Sequence, residues 1–234
     1  MNHDQLLAES FGLLSRVLEE AYLLITIDDL REAFVYRHAR NISQLGQDVL
    51  LLESHSQPDS CPIIVRAMLE GLFKLVAATK APDAAVGIVL SEIKEEIGLI
   101  QKWIKAVGDN CADLSESIQR LSSFSDSLRM QHNVGSSKDW NAFECARIAD
   151  LGTVYRQYYF LFSKHTHATA SGIIAQEKEI ARDCVLKAGV FVVLCTVGNL
   201  VQVVETKTPQ LHVDEATKLM EAALTFANLE KTES

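Results

Sequence analysis

The chain has 234 residues, of which 48% are hydrophobic, and 31 acidic against 22 basic side chains give a formal net charge of −9. A domain of this size buries roughly 70% of its unfolded surface, so it needs neither disulfides nor a metal to fold. The acidic balance disfavours broad binding to nucleic acid or to an anionic membrane, because both require a basic face. The high apolar content favours an additional buried interface, and we expect a homodimer.

The cysteines and the N-terminus point to a reducing compartment. The five cysteines are an odd number, contain no Cys-x-x-Cys pair and stand mostly among apolar residues, as buried free thiols do. The first ten residues, MNHDQLLAES, lack the basic region and apolar core of a signal peptide. We therefore expect a cytoplasmic protein.

The hydrophobic periodicity is helical almost throughout, and only 4 prolines and 11 glycines interrupt it. We predict an all-α fold: one domain over residues 1–234, built as a bundle of seven to nine helices. The expected helices are 4–25, 28 or 29 to about 54, 61 to about 80, 84–107, 113 to about 130, 140–151, a tyrosine-rich helix from 152, 180–204 and 213 to about 229. Expected N-caps are Asp28 or Asp29, Ser60 with Pro62 in the first turn, and Asp139.

The most apolar segment runs from Cys184 to Val204 and is long enough to span a bilayer, which takes about 20 residues. However, Lys187 and Asn199 lie inside it, and a charged residue in a membrane span costs a few kcal/mol. We therefore predict that this segment is a very apolar central helix of the bundle, near the C-terminus.

Polar side chains follow one another along the helix predicted between Gly152 and Gly172. Tyr155, Tyr159, Ser163 and His167 recur at steps of four residues. Each step overshoots one turn of an α-helix by about 40°, so these side chains form a continuous, slowly drifting file.

A charged pair, Arg66 and Glu70, stands at the same spacing in another helix that is otherwise apolar. Charges beside a buried face need partners, because unpaired burial is prohibitively costly. Hydroxyl and imidazole groups can satisfy both a guanidinium and a carboxylate. We therefore predict that the two helices face each other, with Arg66 and Glu70 meeting Tyr159, Ser163 and His167.

Two interpretations of this network stay open. It either fixes the register of two helices, or it lines a polar site that binds a small anionic or polar ligand through Arg66. The candidate ligand-binding residues are Arg66, Glu70, Tyr155, Tyr159, Ser163 and His167. The second interpretation predicts a small-ligand or protein-binding, regulatory module.

A catalytic version would make His167 the general base, Ser163 the nucleophile and Glu70 the orienting group. The sequence shows no strained nucleophile turn and no oxyanion donor, so we assign no catalytic residue. Helical di-metal sites carry Glu-x-x-His motifs, which this chain lacks. We expect neither a metal nor a cofactor.

These motifs resemble a family of uncharacterised bacterial all-helical proteins. The shared features are the Arg-x3-Glu pair at Arg66 and Glu70, a helix begun by Trp140, and a helix with the Tyr-x3-Tyr-x3-Ser-x3-His spacing that starts at Tyr155. The likeness covers roughly residues 60–80 and 139–172. It implies an all-helical fold and no activity for any of these residues.

A second likeness gives the alternative function. Helical ribonuclease-toxin domains carry an arginine and a histidine separated by four to six residues, and Arg31-x6-His38 resembles that spacing. Glu32 departs from the small polar residue usual after the arginine, and the acidic charge opposes RNA binding. The alternative to a binding module is therefore a ribonuclease-like toxin or another hydrolase that uses a histidine.

Overall fold

The computed structural model describes residues 3–26, 28–55, 60–81, 83–107, 112–134, 139–166 and 175–204, together with 214, 215, 217–219 and 221. Over these ranges the fold is helical and contains no strand. The helices are α1 (His3–Tyr22), α2 (Leu30–Ser54), α3 (Cys61–Lys80), α4 (Ala84–Val107), α5 (Ala112–His132), α6 (Ala142–Ile148), α7 (Gly152–Val154), a π-helical segment (Tyr155–Tyr159), α8 (Phe160–Thr166) and α9 (Ala175–Val204). The prediction of an all-α fold with seven to nine helices is confirmed, whereas the single domain stays a prediction.

Local capping chemistry explains where α2 begins. The Asp29 carboxylate accepts hydrogen bonds from the backbone N–H groups of Arg31 and Glu32, at 2.9 and 3.1 Å. These donors have no partner inside the helix, so an acidic side chain just before the first turn stabilises the start. The Arg31 side chain reaches across to the C-terminal end of α3, where it donates to the carbonyls of Ala78 and Thr79.

The start of α6 differs from the sequence prediction. The N-cap is Asn141, which accepts a hydrogen bond from the Glu144 N–H at 2.9 Å, and not Asp139. Asp139 instead pairs with Lys94 of α4 at 3.1 Å. Trp140 stays outside the helix because its indole packs over Gly87, where a Cβ atom would overlap it. Packing of the indole against α4 therefore decides between two residues of similar capping strength.

The core is organised around α3 and α9. Helix α3 packs against α2, α4, α6, α8 and α9, and α9 packs in addition against α1 and α2. The side chains that they bury include Leu69, Leu72, Phe73, Val193 and Leu200. The predicted central apolar helix near the C-terminus is thus confirmed.

Among the described residues, one helical stretch, Asp183–Val204, is long and apolar enough to cross a membrane by length and composition. In this fold 67% of an 18-residue apolar window within it is buried against other helices. Its polar groups find partners within the helix: Thr196 donates to the Val192 carbonyl, Asn199 donates to the Cys195 carbonyl, and Lys187 pairs with Asp183. These bonds remove much of the cost of placing polar groups in an apolar helix.

Helix α5 packs on α4 through a small second core of Val86, Leu90, Ile93 and Leu128. The helix predicted from Val213 to about Leu229 lies mostly outside the described residues. Those that are described are helical, and Leu219 is buried in the main core, while Glu215 pairs with Arg16 of α1. The described residue Glu215 therefore lies against α1.

Candidate functional site

The tyrosine-rich segment is one continuous helical run over residues 152–166, which we call the tyrosine helix. Its middle turn is π-helical, since the Phe160 N–H donates to the carbonyl of Tyr155, five residues earlier. A regular α-helix was expected here. The wider turn brings residues four apart more nearly into line, and the rings of Tyr155 and Tyr159 stack at 4.8 Å and 20°. Single π-turns within α-helices are frequent at functional sites.

Phe73 of α3 fixes the position of this turn. Its ring lies 5.9 Å from the rings of both Tyr155 and Tyr159, and Phe143 of α6 meets Tyr155 edge-on at 5.5 Å. Aromatic pairs at these separations contribute about 0.5–1.5 kcal/mol beyond their buried area. The four rings therefore hold the tyrosine helix against α3 and α6.

Arg66 is the centre of the polar site. Its Nε–H donates to Ser163 Oγ at 3.0 Å, and Nη2 donates to Tyr159 Oη at 2.8 Å. The guanidinium carbon also lies 4.7 Å from the centroid of the Tyr159 ring, within cation–π range. Ser163 donates its own hydrogen to the Tyr159 carbonyl at 2.7 Å, which leaves its oxygen to accept from the arginine. The predicted contact between the two helices is confirmed.

The network continues along α3. Tyr159 Oη donates a long hydrogen bond of 3.4 Å to Glu70 Oε2, and Lys74 Nζ lies 3.4 Å from Glu70 Oε1. Lys74 in turn donates to Glu92 of α4 at 2.9 Å. A run of polar contacts therefore joins the tyrosine helix, α3 and α4.

The pKa shifts agree with this arrangement. Burial alone would lower the pKa of Lys74, but the hydrogen bond and charge of Glu92, together with Glu70, outweigh it and raise the pKa. Burial, with the nearby charge of Glu70, raises the pKa of Tyr159. Lys74 is therefore a cation and Tyr159 a neutral hydroxyl at neutral pH.

The charge balance around Arg66 is unusual. Within the described part of the chain, no carboxylate forms an ion pair with its guanidinium, because Glu70 pairs with Lys74 instead. A guanidinium has five N–H donors, and the two hydrogen bonds to hydroxyl groups occupy two of them. Arg66 and Ser163 are half-buried, and the Glu70 side chain is 35% exposed. The site is thus a partly accessible cation positioned by neutral groups.

The structure brings together four of the six candidate residues: Arg66, Glu70, Tyr159 and Ser163. Tyr155 packs beside them through its ring and makes no hydrogen bond through its hydroxyl within the described residues. His167 lies outside the described residues, so its predicted place in the network stays a prediction.

Sequence reasoning missed Lys74 and Glu92. Lys74 extends the spacing of Arg66 and Glu70 by one further step of four, a signal that was available in the sequence. Glu92 carried no such signal, since its pairing depends on how α4 packs against α3.

His38 lies near the far end of this network. Its Nδ1–H donates to the Phe34 carbonyl at 3.0 Å, and its ring packs against the Phe34 ring with centroids 4.1 Å apart and planes inclined at 32°. Burial lowers its pKa; the Phe34 hydrogen bond and the charge of Glu92 oppose this shift, and the charge of Lys74 adds to it. Because Arg31 is engaged at the end of α3, the two residues of the alternative nuclease motif have separate structural partners. The hydrolase alternative stays an untested prediction.

Metal-binding clusters and surface concavities are two other features that can mark a functional site. In the described ranges, no group of three or more His, Cys, Asp or Glu side chains is arranged to hold a metal ion. A surface concavity of about 330 Å³ lies between α1 and α2 and includes none of the candidate residues. Its lining is Ser15, Leu18, Glu19, Tyr22, Tyr36, Arg40 and Ser43.

Fold and site together define an all-helical protein with an Arg/Glu/Tyr/Ser network between two helices. The chain belongs to a family of unknown function, DUF5677, whose model matches residues 32–179. The matched range contains all six candidate residues. Neither the curated proteins nor the solved structures contain a match to this chain.

Proposed function

We propose that this protein is a ligand-binding, regulatory module whose site is centred on Arg66 and takes a small molecule with an anionic group. The observation that carries the proposal is the Arg66 guanidinium itself. Two hydroxyl groups hold it in place, and no described carboxylate forms a direct ion pair with it. Arginine forms paired, charge-assisted hydrogen bonds with carboxylates and phosphates. An anionic group would supply the missing counter-charge.

The surrounding groups support this choice of ligand. Hydrogen bonds to Ser163 and Tyr159 hold the arginine in one orientation, so little conformational entropy is lost when a ligand binds. Glu70 stands one turn further along α3 with 35% of its side chain exposed. Its carboxylate provides an acceptor for a hydroxyl or amine of the same ligand and disfavours molecules of high negative charge.

We also propose that the protein is located in a reducing, intracellular compartment, and its cysteines support this location. Cys145, Cys184 and Cys195 are free thiols. Burial raises the pKa of Cys145 to about 12 and that of Cys195 to about 11, so both remain protonated and unreactive at neutral pH.

The proposal is tested by calorimetric titration of the protein with inorganic phosphate and, separately, with acetate. We expect saturable binding of at least one probe by the parent and at least a tenfold weaker affinity for Arg66→Met, which keeps the apolar stem and removes the charge. Tyr159→Phe should weaken binding, because the arginine loses one positioning hydroxyl.

Tyr155→Phe is the matched control. It removes a hydroxyl from the neighbouring stacked ring without breaking a described hydrogen bond, so it should bind as the parent does. Equal affinity of the parent and Arg66→Met for both probes would contradict the proposal.

A further inference from the structure

A second surface lies on the C-terminal half of α4. Glu95, Leu99, Lys102, Trp103 and Ala106 recur at three- and four-residue spacing and therefore share one face of the helix. All five are exposed, Leu99 at 65% and Trp103 at 64%. An apolar pair of this size on an exposed helix face is a feature of interaction sites, where tryptophan is enriched.

This face is directed away from α5, which is the most extensive packing partner of α4 among the described residues. Helix α5 contacts α4 through Ile93 and Ile97, which stand on nearly the opposite side of the helix from Leu99. Ile97 is itself only partly buried. Within the described ranges, the hairpin of α4 and α5 thus has one packed side and one exposed apolar side.

The charges on this half of α4 change sign along its length. Glu95 and Glu96 precede Leu99, and Lys102 and Lys105 follow it. If two copies of α4 lie antiparallel about Leu99, Lys102 of one copy stands beside Glu95 of the other on the same flank of the pair, twice by symmetry. A parallel arrangement would set glutamate against glutamate and lysine against lysine. The surface is therefore complementary to itself in one orientation.

We propose that this α4 face is a homodimer interface, in which two copies pair antiparallel about a two-fold axis near Leu99. A two-fold interface requires a self-complementary patch, and the sign change across Leu99 provides one. Trp103 supplies the anchor and the lysine–glutamate contacts fix the orientation. The described residues of the C-terminal segment lie against α1 and the main core.

The test is sedimentation velocity over a range of protein concentrations. The parent should dimerise, and Trp103→Glu should raise the dissociation constant at least tenfold. Leu23→Glu is the matched control, because Leu23 is 82% exposed but lies between α1 and α2. Its dissociation constant should equal that of the parent. Unchanged circular dichroism and thermal midpoint would show that each variant is folded.

Charge reversal tests the orientation. One variant carries Lys102→Glu with Lys105→Glu, and the other carries Glu95→Lys with Glu96→Lys. Each alone should be largely monomeric, and an equimolar mixture should form heterodimers, since every close pair is then of opposite charge. A monomeric parent, binding of a different molecule to this face without self-association, a dimer indifferent to Trp103→Glu, or a mixture that stays monomeric would overturn the proposal.

Discussion

The two nitrogen types of Arg66 make separate contacts, and this explains why the residue is an arginine. Nε binds Ser163 and Nη2 binds Tyr159, two residues that stand four apart on the tyrosine helix. A rigid planar fork can reach both hydroxyls at once, whereas a lysine offers a single charged point. Replacing Arg66 by lysine would therefore keep the charge and lose the fixed orientation.

The lowered pKa of His38 predicts how the stability of the fold depends on pH. Burial holds its pKa below the ordinary value of about 6.5, so between the folded pKa and 6.5 the unfolded chain binds more protons than the folded one. Stability therefore rises with pH in this window and is lost as the pH falls below about 6.5, with a slope of at most about 1.4 kcal/mol per pH unit for one proton.

The measurement is urea unfolding of the parent and His38→Asn at pH 7.5 and at pH 5.5. The parent should lose more stability on acidification than the variant does. Gly198→Ala, which changes no ionisable group, is the control and should lose as much stability on acidification as the parent does. An equal loss in the parent and in His38→Asn would show that His38 does not titrate as described.

Individual residues were predictable where spacing and burial act together. Arg66, Glu70, Tyr159 and Ser163 could be paired from the sequence, because each charge or hydroxyl falls in an apolar helix and requires a partner. The N-cap of α6 could not be assigned, since Asp139 and Asn141 cap equally well and the packing of Trp140 decides between them.

At the scale of elements, small residues determine how closely helices approach. Gly46 of α2 lies against the ring of Phe11 of α1, where an added Cβ atom would overlap the ring. The π-turn of the tyrosine helix is another local adjustment that depends on packing, in this case against Phe73. Neither feature could be predicted, because periodicity gives the face of a helix but not the distance to its neighbour.

We predict that Gly46→Ala destabilises the fold. Overpacking a core typically costs about 1–3 kcal/mol, more than the gain in helix propensity of about 0.5–1 kcal/mol. The loss of stability is measured by thermal unfolding of Gly46→Ala, Phe11→Leu and the double variant. The double variant should be more stable than the sum of the two single changes implies.

Gly198→Ala in α9 is the control, because Gly198 is exposed and nothing stands within 4 Å of its added Cβ atom. It should stabilise the protein by about 0.5–1 kcal/mol. A stabilising Gly46→Ala would mean that α1 and α2 are less closely packed than the structure shows.

At the scale of the whole molecule, the existence of the helices follows from the sequence, whereas their arrangement does not. The apolar stretch before Val204 predicted a central helix, and α9 is one. The pairing of Lys74 with Glu92 depends on α4 crossing α3, which no local pattern indicates. The residues that α3 and the tyrosine helix contribute to the site could therefore be predicted from the sequence. The residue that α4 contributes could not.

The most direct test of the account is the free energy of unfolding of Arg66→Met. If Arg66 is kept for a ligand, its removal should change stability by no more than about 1 kcal/mol, because Tyr159 keeps Glu70 and Ser163 keeps the Tyr159 carbonyl as partners. Lys74→Met is the control. It leaves Glu70 and Glu92 without their cation and should cost about 1–3 kcal/mol.

Stability equal to or above that of the parent would mean that the fold does not need the charge of Arg66, as the account of a ligand site predicts. A loss of about 3–5 kcal/mol in Arg66→Met, the size expected for a broken buried network, would contradict it. The network would then serve to fix the two helices in register.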